Sequence, residues 1–132
     1  MSQEHVEAVR RVFEGWTVGD FTASESLMDP NVTLVVTRTF PTEGVWIGHD
    51  GLREHMAQVL DAWDSLTMTA KSFREAGDTV LVSVHQRGVG SSSGVPVEME
   101  YFQLWSFRAG RVIRLEVIAD EAEALEAVGL RE

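Results

Sequence analysis

His85 and Arg87 stand two apart in the β-branched run from Val80 to Val89. That spacing puts both side chains on one face of an extended strand. A neutral imidazole titrates near physiological pH, so His85 has the chemistry of a general base. The guanidinium fork of Arg87 has the chemistry of an anion holder for a carboxylate, enolate or phenolate oxygen. Tyr101 and Gln103 form a second pair with the same spacing and are able to donate to a ligand carbonyl. A structural reading stays open for each: His85 as a hydrogen-bonded wall residue, Arg87 at the rim beside Gly90–Gly94, Tyr101 and Gln103 satisfying Arg87 or each other.

Other reactive groups form no site. The chain has no cysteine, which excludes disulfides, thiolate metal sites and a Cys nucleophile. His49 and His55 lie six apart without a matched carboxylate, a poor spacing for a metal. Together with His5 they read as surface or capping residues. Ser91–Ser93 has neither a G-x-S-x-G setting nor phosphate-loop spacing. No metal and no cofactor are therefore expected. A formal net charge of −10 opposes phosphate backbones and anionic bilayers, so neither nucleic acid nor a membrane is an expected partner. The N-terminus lacks the apolar core of a signal peptide, and no apolar run approaches the roughly 18 residues of a span. A reducing cytoplasm is the default expectation.

The elements that must position these groups follow from periodicity. A length of 132 residues suits one domain, 1–132. Val6, Val9, Phe13 and Trp16 predict a helix over 3–18, ended by Gly19. Thr22 and Glu25 read as a capping box for a short helix from Ala23 to Met28, with Asp29-Pro30-Asn31 as the break after it. Val32–Thr39 reads as a strand, followed by a loop with Pro41 and Gly44 and a short extended stretch, Val45–Ile47. Leu52, Met56, Val59, Leu60 and Trp63 give the apolar stripe of a helix over 50–64. Strands are predicted at 66–75, 79–89, 95–107 and 111–118, joined by tight turns at Gly77-Asp78, Gly90–Gly94 and Arg108–Gly110. Asp120 and Glu123 cap a last helix, ended by Gly129. Strands in sequence with short turns imply an antiparallel meander, with early helices covering one face of it. The fold class is α+β: a curved antiparallel sheet wrapped by N-terminal helices around an internal pocket.

Alternation divides the long strands into two faces. One set holds Leu81, Ser83, His85 and Arg87; Met99, Tyr101, Gln103, Trp105 and Phe107; and Ile113, Leu115 and Val117. Large aromatics with sparse polar groups suit a cavity wall, so this set is assigned to the pocket. Trp105, Trp16, Trp46, Met56 and Trp63 are expected ligand contacts beside Tyr101 and Gln103. The other set includes Val80, Val82, Val84, Phe102, Leu104 and Val112 with fringing charges, and is assigned to a homodimer interface on the outer face.

Three stretches, Gly44-Val-Trp-Ile-Gly-His-Asp-Gly-Leu-Arg53, Leu104-Trp-Ser-Phe-Arg-Ala-Gly-Arg-Val112 and Glu123-Ala-Leu-Glu-Ala-Val-Gly-Leu130, run in order along nearly the whole chain. Together they resemble the SnoaL-like branch of the nuclear transport factor two-like superfamily. The resemblance implies a cone-shaped α+β barrel, often dimeric, with a deep pocket. Matched by turn landmarks, the catalytic positions of ketosteroid isomerases fall on Val12, Val36 and Gln103, none of which transfers protons. Val36 thereby joins the expected ligand contacts. Limonene epoxide hydrolases need an Arg flanked by acidic residues, but Val89 stands two along from Arg87. SnoaL-type polyketide cyclases rely on a pocket Asp as acid–base group, and Gln103, near that region, does not transfer protons at neutral pH. The expected function is a pocket for a small, largely apolar, polyketide- or terpenoid-like molecule, with His85 and Arg87 carrying any acid–base step. The alternatives are a non-catalytic ligand-binding or accessory homodimer and, after that, a structural interaction module.

Overall fold

In a computed structural model, residues 2–20, 22, 24–37 and 43–129 are described. The elements in chain order are α1 (Ser2–Thr17), a single 3-10 turn (Glu25–Leu27), β1 (Met28–Val36), β2 (Gly44–Ile47), α2 (Gly48–Asp61), β3 (Trp63–Ala76), β4 (Thr79–Gly90), β5 (Pro96–Arg108), β6 (Arg111–Ile118) and α3 (Glu121–Ala127). The six strands form one sheet in the order β2-β1-β6-β5-β4-β3. β3 to β6 are the predicted antiparallel meander. β1 joins it in parallel beside β6, and β2 closes on β1 antiparallel.

The concave face of the sheet carries the main core. The stripe Val9, Val12, Phe13 and Trp16 of α1 is buried there against Val80, Val82, Val84, Trp105 and Val112. Phe13, Trp16 and Trp105 interlock with ring centroids 4.8 to 6.2 Å apart. α1 stops where expected, at Gly19 with φ +90°. The β5–β6 hairpin needs two residues at positive φ, and Ala109 (+54°) with Gly110 (+80°) supply them. A smaller cluster on the convex face joins Leu81, Leu104 and Ile118 to Ala124 and Leu125 of α3. Asp120 accepts a hydrogen bond from the Glu123 amide at 2.9 Å, the predicted cap that starts this helix.

Several expectations change. Glu25–Leu27 is only a 3-10 turn, with no side-chain cap at Ser24; the Thr22 hydroxyl donates to Asp20 Oδ1 at 2.8 Å instead of forming a capping box. Ala23, Thr39 and Pro41 lie outside the described residues. Asp29-Pro30-Asn31 does not break the chain but sits inside β1, where the register against β6 shifts between Met28 and Thr33. Such an irregularity tolerates proline, which brings no N–H to the ladder. α2 ends at Asp61, so Trp63 opens β3 and is not the last member of a helical stripe.

The largest change is the phase of β4. Val80 faces Trp105, Val82 faces Gln103 and Val84 faces Tyr101 across the β4–β5 ladder. Residues directly opposite in a ladder share a face. The valine row therefore belongs to the concave core, with exposures of 1% or less, and is no outer interface. Leu104 is covered by α3, and Phe102 is half-buried beside the same cluster. Val112 also turns inward, because the register shifts between Ser106 and Phe107.

Candidate functional site

α2 lies over the open end of the concave face and leaves a cavity of about 640 Å³. Its walls are Trp16 at the end of α1, Ser24 and Glu25 at the 3-10 turn, and Leu52, His55, Met56 and Val59 on α2. The sheet contributes Leu34 and Val36 from β1, Trp63 and Met68 from β3, Gln86 from β4, Met99, Tyr101 and Gln103 from β5, and Leu115 and Val117 from β6. Apolar walls with few polar groups are the usual composition of a small-molecule site.

Of the expected ligand contacts, Tyr101, Gln103, Trp16, Val36, Met56 and Trp63 line this cavity. Trp105 does not reach it: the indole is fully buried in the core and its Nε1–H donates to Gln103 Oε1 at 3.0 Å. Trp46 is also outside the lining and packs behind α2 on His55, ring centroids 5.6 Å apart.

His85 and Arg87 are on the other side of the sheet. They face Glu100 and Glu98 across the ladder, in the same phase shift that turns the valines inward. His85 Nε2 lies 3.6 Å from Glu98 Oε1, and Arg87 lines a shallow outer groove with Glu98. Both are absent from the cavity wall, so neither is placed to act on a molecule inside it.

Beside the expected Tyr101 and Gln103, the polar lining includes Gln86 and His55, which the sequence reading did not place there. Gln86 is 7% exposed and accepts the Tyr101 hydroxyl at 2.6 Å on Oε1. The signal for it was available: continuing the row Val80, Val82, Val84 by one step reaches Gln86. Burial pushes the Tyr101 phenol well above its ordinary range, so it remains a protonated donor. His55, read as a surface residue, is half-buried in the α2 wall, and burial lowers its pKa from 6.5 to about 4. Its Nε2 is buried without a hydrogen-bond partner among the described residues. It is therefore a neutral imidazole at pH 7. His5 is not a surface ring either, since it stacks on Phe107 at 4.1 Å.

Formal charges at the site are paired with one another. Glu25 is the one carboxylate among the described lining residues, and its two oxygens accept from Arg53 Nη2 at 3.1 Å and Nε at 3.3 Å. Arg53 Nη1 donates to Asp50 at 3.1 Å, and the contact with Glu25 first, then that with Asp50, raises the guanidinium pKa further. Among the described residues no group of three His, Cys, Asp or Glu side chains is close enough to hold a metal ion. No described helix is long and apolar enough to cross a membrane.

Residues 9–115 match a family model described as a SnoaL-like domain. No curated protein matches the sequence. Among solved structures, an NTF2-like protein of unknown function from Burkholderia pseudomallei K96243 is similar at TM-score 0.79 and 19% identity, over 96% of this chain and 98% of that one. TerC, co-crystallised with polyporic acid, is similar at TM-score 0.78 and 25% identity, over 95% and 98% of the two chains. A hypothetical protein from Catenulispora acidiphila DSM 44928, with a ketosteroid isomerase-like fold and in complex with trimethylamine, is similar at TM-score 0.74 and 18% identity, over 95% and 94%.

Proposed function

The chain belongs to the SnoaL-like domain family, and on that premise we propose that it binds a largely apolar small molecule, of polyketide or terpenoid type, in the cavity under α2. The observation that carries this reading is an apolar cavity of about 640 Å³ with buried amides in its wall. A void of that size and lining is within the range of pockets that enclose most of a drug-sized ligand. The co-crystallised small molecule in TerC, a structural relative, supports the same reading. Binding without turnover is favoured over carboxylate acid–base chemistry, because Glu25 is held by Arg53 at the mouth.

Trp16 and Trp63 line the cavity and serve as reporters. Titration with a panel of tri- and tetracyclic apolar compounds is expected to quench tryptophan fluorescence saturably, at one molecule per chain. Val36→Phe places a ring in the cavity and should weaken that binding at least tenfold while the far-UV spectrum is unchanged. Absence of saturable binding across the panel overturns the reading.

A second reading is turnover, and one observation favours it. His55 is a cavity-lining imidazole that burial keeps neutral, hence able to accept a proton. Turnover centred there predicts a rate that falls below about pH 4 and is abolished in His55→Phe. A ligand that binds and is recovered unchanged leaves the binding function alone.

A further inference from the structure

We infer that the cavity selects ligands that carry an uncharged carbonyl oxygen (a ketone, quinone or lactone), and discriminates against amines. This deepens the binding function proposed above and rests on it.

An indole N–H is only a donor. The bond from Trp105 Nε1 to Gln103 at 3.0 Å therefore fixes the amide: the oxygen must face Trp105, and the nitrogen is the other arm. In Gln86 the oxygen accepts the Tyr101 hydroxyl at 2.6 Å; a hydroxyl can itself accept, so the fixed amide is Gln103 and Gln86 stands as its neighbour in the wall. Both glutamines line the cavity, and neither amide nitrogen has a partner among the described residues. In Gln103 the acceptor is engaged and the donors are left. That nitrogen is an open donor in an otherwise largely apolar wall, so the ligand atom that meets it should be an acceptor.

Charge narrows the class further. The cavity holds no unpaired ion among the described residues: Glu25 and Arg53 bind each other, and the imidazole and the phenol are neutral. A ligand ammonium would enter a largely apolar space facing amide donors, with no free carboxylate to meet it. A ligand carboxylate would likewise lack a free cation. A neutral carbonyl carries two lone pairs and no hydrogen, and it suits the open amide donor of Gln103.

The test uses three ligands on one tricyclic frame, fluorenone, fluorene and 9-aminofluorene, titrated into the intact protein at pH 7 by calorimetry. Fluorenone is expected to bind about fivefold more tightly than fluorene, the effect of one net hydrogen bond. The protonated amine should bind more weakly than fluorene. In Gln103→Leu or in Gln86→Leu, whichever amide holds the carbonyl, the preference should fall to unity while fluorene affinity stays within twofold. Constant fluorene affinity reports that the cavity is intact in the variant. Gln103→Glu keeps the shape and exchanges the free donor for an acceptor, so it should favour the amine over the ketone if Gln103 is the contact. Equal wild-type affinity for fluorenone and fluorene, or preference for the amine, overturns this inference and leaves the binding function standing. A preference that survives in every variant also overturns it. Failure of all three compounds to bind removes the inference together with the function it rests on.

Discussion

Replacing His55 by Phe should abolish a specific loss of stability between pH 6.5 and pH 4. The imidazole is half-buried, Nε2 has no partner among the described residues, and burial sets its pKa at about 4 rather than 6.5. Above pH 6.5 the ring is neutral whether the chain is folded or not, and it imposes no penalty. As pH falls through 6.5 the unfolded chain takes up a proton that the fold refuses until about pH 4. Stability contributed by the neutral ring is thus complete above 6.5 and lost on the way down to 4. At about 1.4 kcal/mol per pH unit the gap is worth about 3 kcal/mol. That is a ceiling, since the ring's partial exposure screens part of the charge. Urea denaturation of wild type and His55→Phe at half-unit steps from pH 7.5 to 4 isolates it, because carboxylates and the other histidines are common to both. At pH 7 the variant should be as stable as wild type or more so, since a buried unpaired nitrogen is exchanged for carbon. The stability difference should then widen in favour of the variant by about 1 to 3 kcal/mol at pH 4. A difference that stays flat across the range refutes the placement of His55 as a buried neutral ring, and with it the catalytic reading that uses it.

Two further substitutions test the architecture. Val82→Glu puts a carboxylate into the concave core, where Val82 is 0% exposed opposite Gln103, and should cost at least about 4 kcal/mol. Loss of the cooperative thermal transition is the expected result; a folded variant that changes only its oligomeric state in light scattering would return the valine row to the outer face. Asp120→Ala removes the acceptor for the Glu123 amide and should cost about 1 kcal/mol, read as a lower Tm. Because α3 covers Leu104 and Ile118, the same variant should also expose apolar surface, seen as increased binding of a hydrophobic dye.

Much of the fold was legible because its signals are local. The β3–β6 meander is marked by turn residues between β-branched runs, and the α1 stripe and the Asp120 cap by fixed spacings. The short segment after α1 was misread for an equally local reason. Thr22 and Glu25 have capping-box spacing, but the Thr22 hydroxyl bonds Asp20, a nearer acceptor than the spacing rule considers. Trp46 and Trp105 show the limit of aromatic content as a guide to a cavity. One indole backs His55 and the other orients Gln103, both from behind the wall.

The site itself turned on a quantity that no single strand contains. Alternation shows that Val80, Val82 and Val84 share a face, and that Tyr101, Gln103 and Trp105 share one. Whether these are the same face depends on the register across the β4–β5 hairpin. That register is set where the hairpin closes, with Val89 opposite Pro96, so every β4 residue faces a β5 residue of opposite parity. A closure shifted by one residue would have put His85 and Arg87 under α2 and the valines outside, as grouping by residue type suggested. Burial energy decides between the two. Three valines and Gln86 inside, bonded to Tyr101, leave one polar side chain of β4 to be satisfied there. The opposite phase would bury Ser83, His85 and Arg87 together, and a desolvated guanidinium without a carboxylate costs far more than three valines lose by exposure. Weighing the two rows by the cost of burying their most polar member, rather than by their aromatic content, selects the observed phase from sequence. The same weighing moves the reactive wall of the cavity from His85 and Arg87 to Gln86, Gln103 and His55.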